Sequence, residues 1–137
     1  MEQKELRLSL KEKWFRMIES GDKAEEYREI TPYWCNRLLY SCSLGVEEYW
    51  SPILEKTFQT VEKLGGKYPN TYSLNNLLVR QYGTRGYTHV HFTLGYPSND
   101  DKSRHMVREI REIVITTGNP RWGAEEGKKY FVIRLKS

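Results

Sequence analysis

Residues 21–28, GDKAEEYR, place a lysine, two glutamates, a tyrosine and an arginine within six positions, two residues after a glycine. Just upstream, Trp14, Phe15 and Ile18 fall at i, i+1 and i+4, one face of a short helix. Gly21 ends that helix in the left-handed conformation that glycine tolerates. The quoted stretch therefore starts where a helix stops and a strand begins. In a regular strand Glu26, Arg28 and Ile30 share one face, and Glu25, Tyr27 and Glu29 the other. Tyr27 then points away from Glu26 and is expected in the core. Lys23 has the parity of the second face, and joins Glu26 and Arg28 only if the chain bends near Ala24.

On the N-terminal side, Leu6, Leu8 and Leu10 alternate with Arg7 and Ser9, the period of a half-buried strand. Downstream, Thr31-Pro32 reads as an N-cap followed by proline at the first helical position, opening a short helix over 33–39. Ser51-Pro52 repeats that signal. Leu54, Phe58, Val61 and Leu64 then keep helical spacing up to Gly65-Gly66. Residues 67–86 read as a short helix or irregular segment. Residues 88–94 (THVHFTL) alternate as a strand and end in a Gly95-Tyr96-Pro97 turn. In 104–116, Met106, Val107, Ile110, Ile113 and Val114 fit a helix, while Ile113-Val114-Ile115 favours a strand. Residues 130–135 (YFVIRL) form a last strand. These patterns define an α+β domain of several short strands and two or three helices.

The 137 residues suggest one domain. With 38% hydrophobic and 29% charged residues, and no run of about 18 apolar residues, the composition is that of a globular chain without a membrane-spanning helix. The N-terminal residues lack the apolar stretch of a signal peptide, so a cytoplasmic setting is expected. Cys35 and Cys42 match no zinc spacing and are expected as reduced thiols. Charge is unevenly distributed. Residues 1–30 carry seven basic and eight acidic side chains, whereas 63–99 contain no acidic residue. That segment interleaves Lys63, Lys67, Arg80 and Arg85 with Tyr68, Tyr72, Tyr82, Tyr87, Phe92 and Tyr96. Cations that neutralise phosphates and rings that stack on bases are what a nucleic-acid surface requires. Core packing of the tyrosines is the other explanation.

The pattern Gly-x-Lys-x-x-Glu-x-Arg, met by Gly21, Lys23, Glu26 and Arg28 after a strand and a short helix, resembles the signature of the ASCH family of PUA-like domains. WFRMIESG before it, TPYWCNRL after it, HVHFTLGY and the closing TGNPRWGAEEGKKYFVIRL add to the resemblance, which covers 5–42 and 88–136. The resemblance implies a single domain over 1–137, a small PUA-like β-barrel with flanking helices, and a helical insertion at about 45–86. It implies that 104–116 is mostly strand, against the helical spacing. It also implies a role centred on RNA, with the signature residues lining a cleft.

For such a cleft three readings stand. In the first, Lys23 and Arg28 bind a phosphate, Glu26 orients Arg28 or accepts from a base amine, and Lys67, Arg85 and Trp122 extend the surface. In the second, the chain is a hydrolase of a modified nucleoside or RNA, with Lys23 and Glu26 as acid–base pair. In the third, Glu26 and Arg28 pair structurally in a ligand-free interaction module. The related acetylcytidine amidohydrolases have threonine three residues after the lysine. Glu26 stands there in this chain and cannot supply that alkoxide. His89 and His91 share a strand face but lack a completing ligand, and His105 is read as solitary, so no metal or other cofactor is expected. Trp122 is either a packed ring or a stacking platform.

Overall fold

A computed structural model of the chain describes residues 3–39 and 84–137. The helix expected over 51–64, most of the insertion expected at about 45–86, Cys42, Lys63, Lys67, Arg80, Tyr68, Tyr72 and Tyr82 lie outside the described residues.

Strand β1 (Glu5–Leu10) leads into helix α1 (Glu12–Ser20), strand β2 (Glu25–Arg28) and helix α2 (Pro32–Leu38). Strands β3 (His89–Leu94), β4 (His105–Thr117) and β5 (Lys129–Leu135) follow. Short 3₁₀ turns at Lys102–Arg104 and Pro120–Trp122 precede and follow β4. The five strands form one mixed sheet in the order β1-β3-β4-β5-β2. Strand β1 runs parallel to β3, with Leu6 opposite Val90 and Leu8 opposite Phe92. Strand β3 runs antiparallel to β4, with Thr93 opposite His105. The architecture is α+β. No helix among the described residues is long and apolar enough to cross a membrane.

The local signals act as their chemistry dictates. Gly21 adopts φ 90° and its N–H donates to the Ile18 carbonyl, closing α1. The Thr31 hydroxyl accepts from the Trp34 N–H, and Pro32 opens α2. Residues 105–117 form a single strand, not the helix that the spacing of Met106, Ile110 and Ile113 suggests. Those three residues are buried all the same. The buried parity changes from even at Met106 and Ile110 to odd at Ile113 and Ile115, with Arg111 and Glu112 both exposed between them. A slip of one residue in strand alternation, of the kind a bulge produces, mimics a helical period.

The chain divides into two compact units. The first holds residues 1–26, 86–112 and 133–137. Its core joins Leu6, Leu8 and Leu10 of β1, Phe15 and Ile18 of α1, Val90, Phe92 and Leu94 of β3, and Met106 and Ile110 of β4. Fully burying one such side chain is worth about 1.5–3 kcal/mol. The second unit holds residues 27–85 and 113–132. In it Tyr27, Ala124, Tyr130 and Val132 form a cluster against which Val114 and Trp122 pack. Cys35 is fully buried there, and burial pushes its thiol far above the ordinary range. The thiolate is the reactive form. In a Cys42→Ser background, Ellman's reagent should therefore leave the native chain unmodified and react promptly only after denaturant is added. Rapid reaction of the folded protein would contradict this burial.

Candidate functional site

The turn after α1 gathers the first two signature residues. The Lys23 N–H donates to the Met17 carbonyl, which folds the chain back over the last turn of the helix. Lys23 is 1% exposed and Glu26 5% exposed. The Lys23 ammonium donates to the Glu25 carbonyl at 2.6 Å and to Glu26 Oε1 at 3.1 Å. Its Nζ also lies 5.6 Å from the centroid of the Trp14 ring. The turn at Gly21 and the bend at Asp22, just ahead of β2, place Lys23 against Glu26 but not against Arg28.

Glu25, on the opposite parity, is held from the other side. Arg134 of β5 donates to Glu25 at 3.0 Å and to Glu112 of β4 at 2.7 Å. The Glu112 hydrogen bond first, and then Glu25, hold the Arg134 guanidinium above its usual range. These groups are partly solvated, so the bridge fixes geometry more than it adds stability. It anchors the residue whose carbonyl accepts from Lys23.

Arg28 belongs to the second unit. Its Nη1 donates to the Tyr27 carbonyl at 2.7 Å, and its guanidinium lies over the Trp34 ring, 5.3 Å from the centroid. Arg37, one turn along α2, lies over the same ring at 5.4 Å and donates to the Tyr33 hydroxyl at 3.2 Å. Tyr33 meets Trp34 edge-on at 4.9 Å and is 59% exposed. The spacing Arg28, Trp34, Arg37 carries no motif, and the cluster forms because α2 packs beside the end of β2.

The other expected site residues separate. Arg85 is half-buried, and its backbone N–H donates to the Leu38 carbonyl. Trp122 packs against the Tyr27–Tyr130 cluster in the second unit. Of the aromatics in the acid-free segment, Phe92 is core, Tyr87 sits under the Lys4 ammonium, and Tyr96 is 95% exposed. Among the described residues no group of three or more His, Cys, Asp or Glu side chains is arranged to hold a metal ion. His105 is not solitary: its Nδ1 lies 2.9 Å from Nε2 of His91. The signal for that contact was the hairpin register, which sets His105 diagonally across from His91 and which periodicity alone does not supply.

No protein-family model matches the chain, and no curated protein or solved structure is significantly similar to it. The fold and site therefore define it only as an α+β protein with a buried lysine–glutamate pair in its first unit and an arginine–tryptophan cluster in its second.

Proposed function

We propose that the chain is an ASCH-type, PUA-like domain that binds RNA or a nucleotide-like ligand. The observation that carries this reading is the cluster in the second unit: two guanidinium groups over one indole, beside a largely exposed tyrosine. Guanidinium groups engage phosphates bidentately, and an exposed ring stacks on any base. Arg28, the last residue of the signature, is one of the two cations. Lys23 and Glu26 act in this reading as a closed pair that fixes the start of β2, not as direct phosphate contacts. Arg85, with Lys67 of the acid-free stretch of sequence, supplies further positive charge in this reading. A cytoplasmic setting with reduced thiols belongs to the same proposal.

The test is fluorescence anisotropy of labelled single-stranded and hairpin RNAs at two salt concentrations. Each phosphate contact removed should reduce the salt slope by about 0.7 on a single strand. Arg28→Ala/Arg37→Ala should therefore bind several-fold more weakly, with a slope lower by about 1.4. Affinity that ignores salt, or a double variant equal to wild type, would sink the proposal.

A second reading, hydrolysis of a modified nucleoside or RNA, has one distance in its support and the burial of both groups against it. Lys23 Nζ and Glu26 Oε1 are 3.1 Å apart, within the reach that proton transfer requires. Turnover of a modified-nucleoside panel that vanishes in Glu26→Gln, with the fold intact, would select it over binding alone.

A further inference from the structure

We propose that His91 and His105 form a two-imidazole site for a borderline divalent transition-metal ion on the β3–β4 hairpin. The site is independent of the RNA reading and follows from a count of donors.

His105 Nε2 lies 2.9 Å from the Ser98 carbonyl oxygen. A carbonyl has no hydrogen to give, so Nε2 carries the proton and Nδ1 presents a lone pair. His91 Nδ1 lies 3.3 Å from Glu5 Oε1. A carboxylate only accepts, so Nδ1 of His91 carries the proton and Nε2 presents a lone pair. Those two inner nitrogens face each other at 2.9 Å. Two lone pairs at that separation repel unless a cation lies between them. A metal ion does so with a bond to each nitrogen.

The outer partners are those of ligating histidines. Such rings donate their second N–H to a carboxylate or a backbone carbonyl, which fixes the tautomer and raises ligand basicity. Here both kinds of partner are present, Glu5 on one ring and Ser98 on the other. Zinc–nitrogen bonds of about 2.0–2.1 Å at a tetrahedral angle separate two ligand nitrogens by about 3.4 Å. The rings need to part by about 0.5 Å to admit the ion. The rings meet edge to face, with centroids 5.1 Å apart, so a small tilt suffices. The His91 side chain is 19% exposed and His105 is half-buried, which lets water complete the coordination. Imidazole ligands select zinc, copper or nickel over magnesium or calcium.

The test uses the untagged chain and zinc ion alone, with magnesium as control, followed by calorimetry and by long-range proton–nitrogen spectra of the imidazoles. One zinc per chain is expected, moving the ring signals of His91 and His105, while magnesium moves neither. His91→Gln and His105→Gln should each weaken binding by about tenfold or more, and Glu5→Gln by about 10–100-fold. Ring signals that stay in place through the zinc titration, or variants that bind like wild type, would overturn the site. The wild-type spectra decide the matter by themselves if a variant fails to fold.

Discussion

Lys23→Ala should lower stability by about 3–5 kcal/mol and the thermal midpoint by about 10 °C or more. The substitution removes the ammonium that engages Glu26 Oε1 and leaves a carboxylate with 5% exposure in a site closed to water. Taking a charge out of water is tolerable when a partner and hydrogen bonds replace the solvent, and it becomes costly when one partner is deleted. Glu26→Ala should be similarly damaging, because it leaves a fully buried ammonium without its carboxylate counter-charge. Replacing both at once, Lys23→Met/Glu26→Leu, removes both charges and keeps much of the volume. That double variant should melt close to wild type or above it. Circular dichroism melts of the four proteins check the set. A single-variant midpoint equal to wild type would mean that the pair is not closed in solution. The result also governs how loss of function at Lys23 is read. An inactive Lys23→Ala protein speaks to binding or turnover only after its folded fraction has been measured.

The second large effect falls where the chain has no side chain. A Cβ at Gly118 would stand 2.6 Å from the Ala124 Cβ and 2.7 and 2.8 Å from Cε1 and Cζ of Tyr27. Separations under 3 Å force something to move. Tyr27 is poorly placed to yield. Its hydroxyl accepts from the Asn119 N–H at 2.9 Å, and its ring packs against Tyr130 with centroids 5.8 Å apart. Overpacking of this kind costs about 1–3 kcal/mol, and contacts on a tethered ring and a backbone-fixed methyl put Gly118→Ala at the upper end. A fall of several degrees in midpoint is expected, with a changed near-ultraviolet tyrosine signal. Gly127→Ala is the control for glycine chemistry without the clash. Gly127 has φ 78°, but an alanine methyl there would meet nothing within 4 Å, so only the conformational cost of about 1 kcal/mol applies. Equal losses at the two positions would remove the packing explanation.

The chemistry of the pair and the position of the glycine differ in how far they are written in the sequence. Lys23, Glu26 and Arg28 stand out as a charged group after a helix stop, and strand parity states the condition under which Lys23 meets Glu26. Parity does not say that both will be buried. That depends on Trp14 and the turn around Met17, which are brought over the pair by the return of the chain. The Arg28–Trp34–Arg37 cluster follows the same logic, since its members stand six and three residues apart across a loop and a helix start. Gly118 is one glycine among 10 in the chain, and nothing local marks it as the one that Tyr27 leans on from 91 positions away.

The order of elements is legible in the residues alone. The alternation of Leu6, Leu8 and Leu10, the Gly21 stop, the Thr31-Pro32 start and the alternation over 89–94 each name an element, because backbone conformation answers to side-chain period and to residues that cap or break it. Three features exist only in the assembled fold. Residues 105–117 are a strand, because a parity slip reproduces a helical period and only pairing with β3 tells the two apart. A lysine and a glutamate are buried against each other, because burial is set by what packs above a residue and not by its neighbours in the chain. His91 meets His105, because cross-strand distance is fixed by register, a relation between segments that neither segment encodes alone.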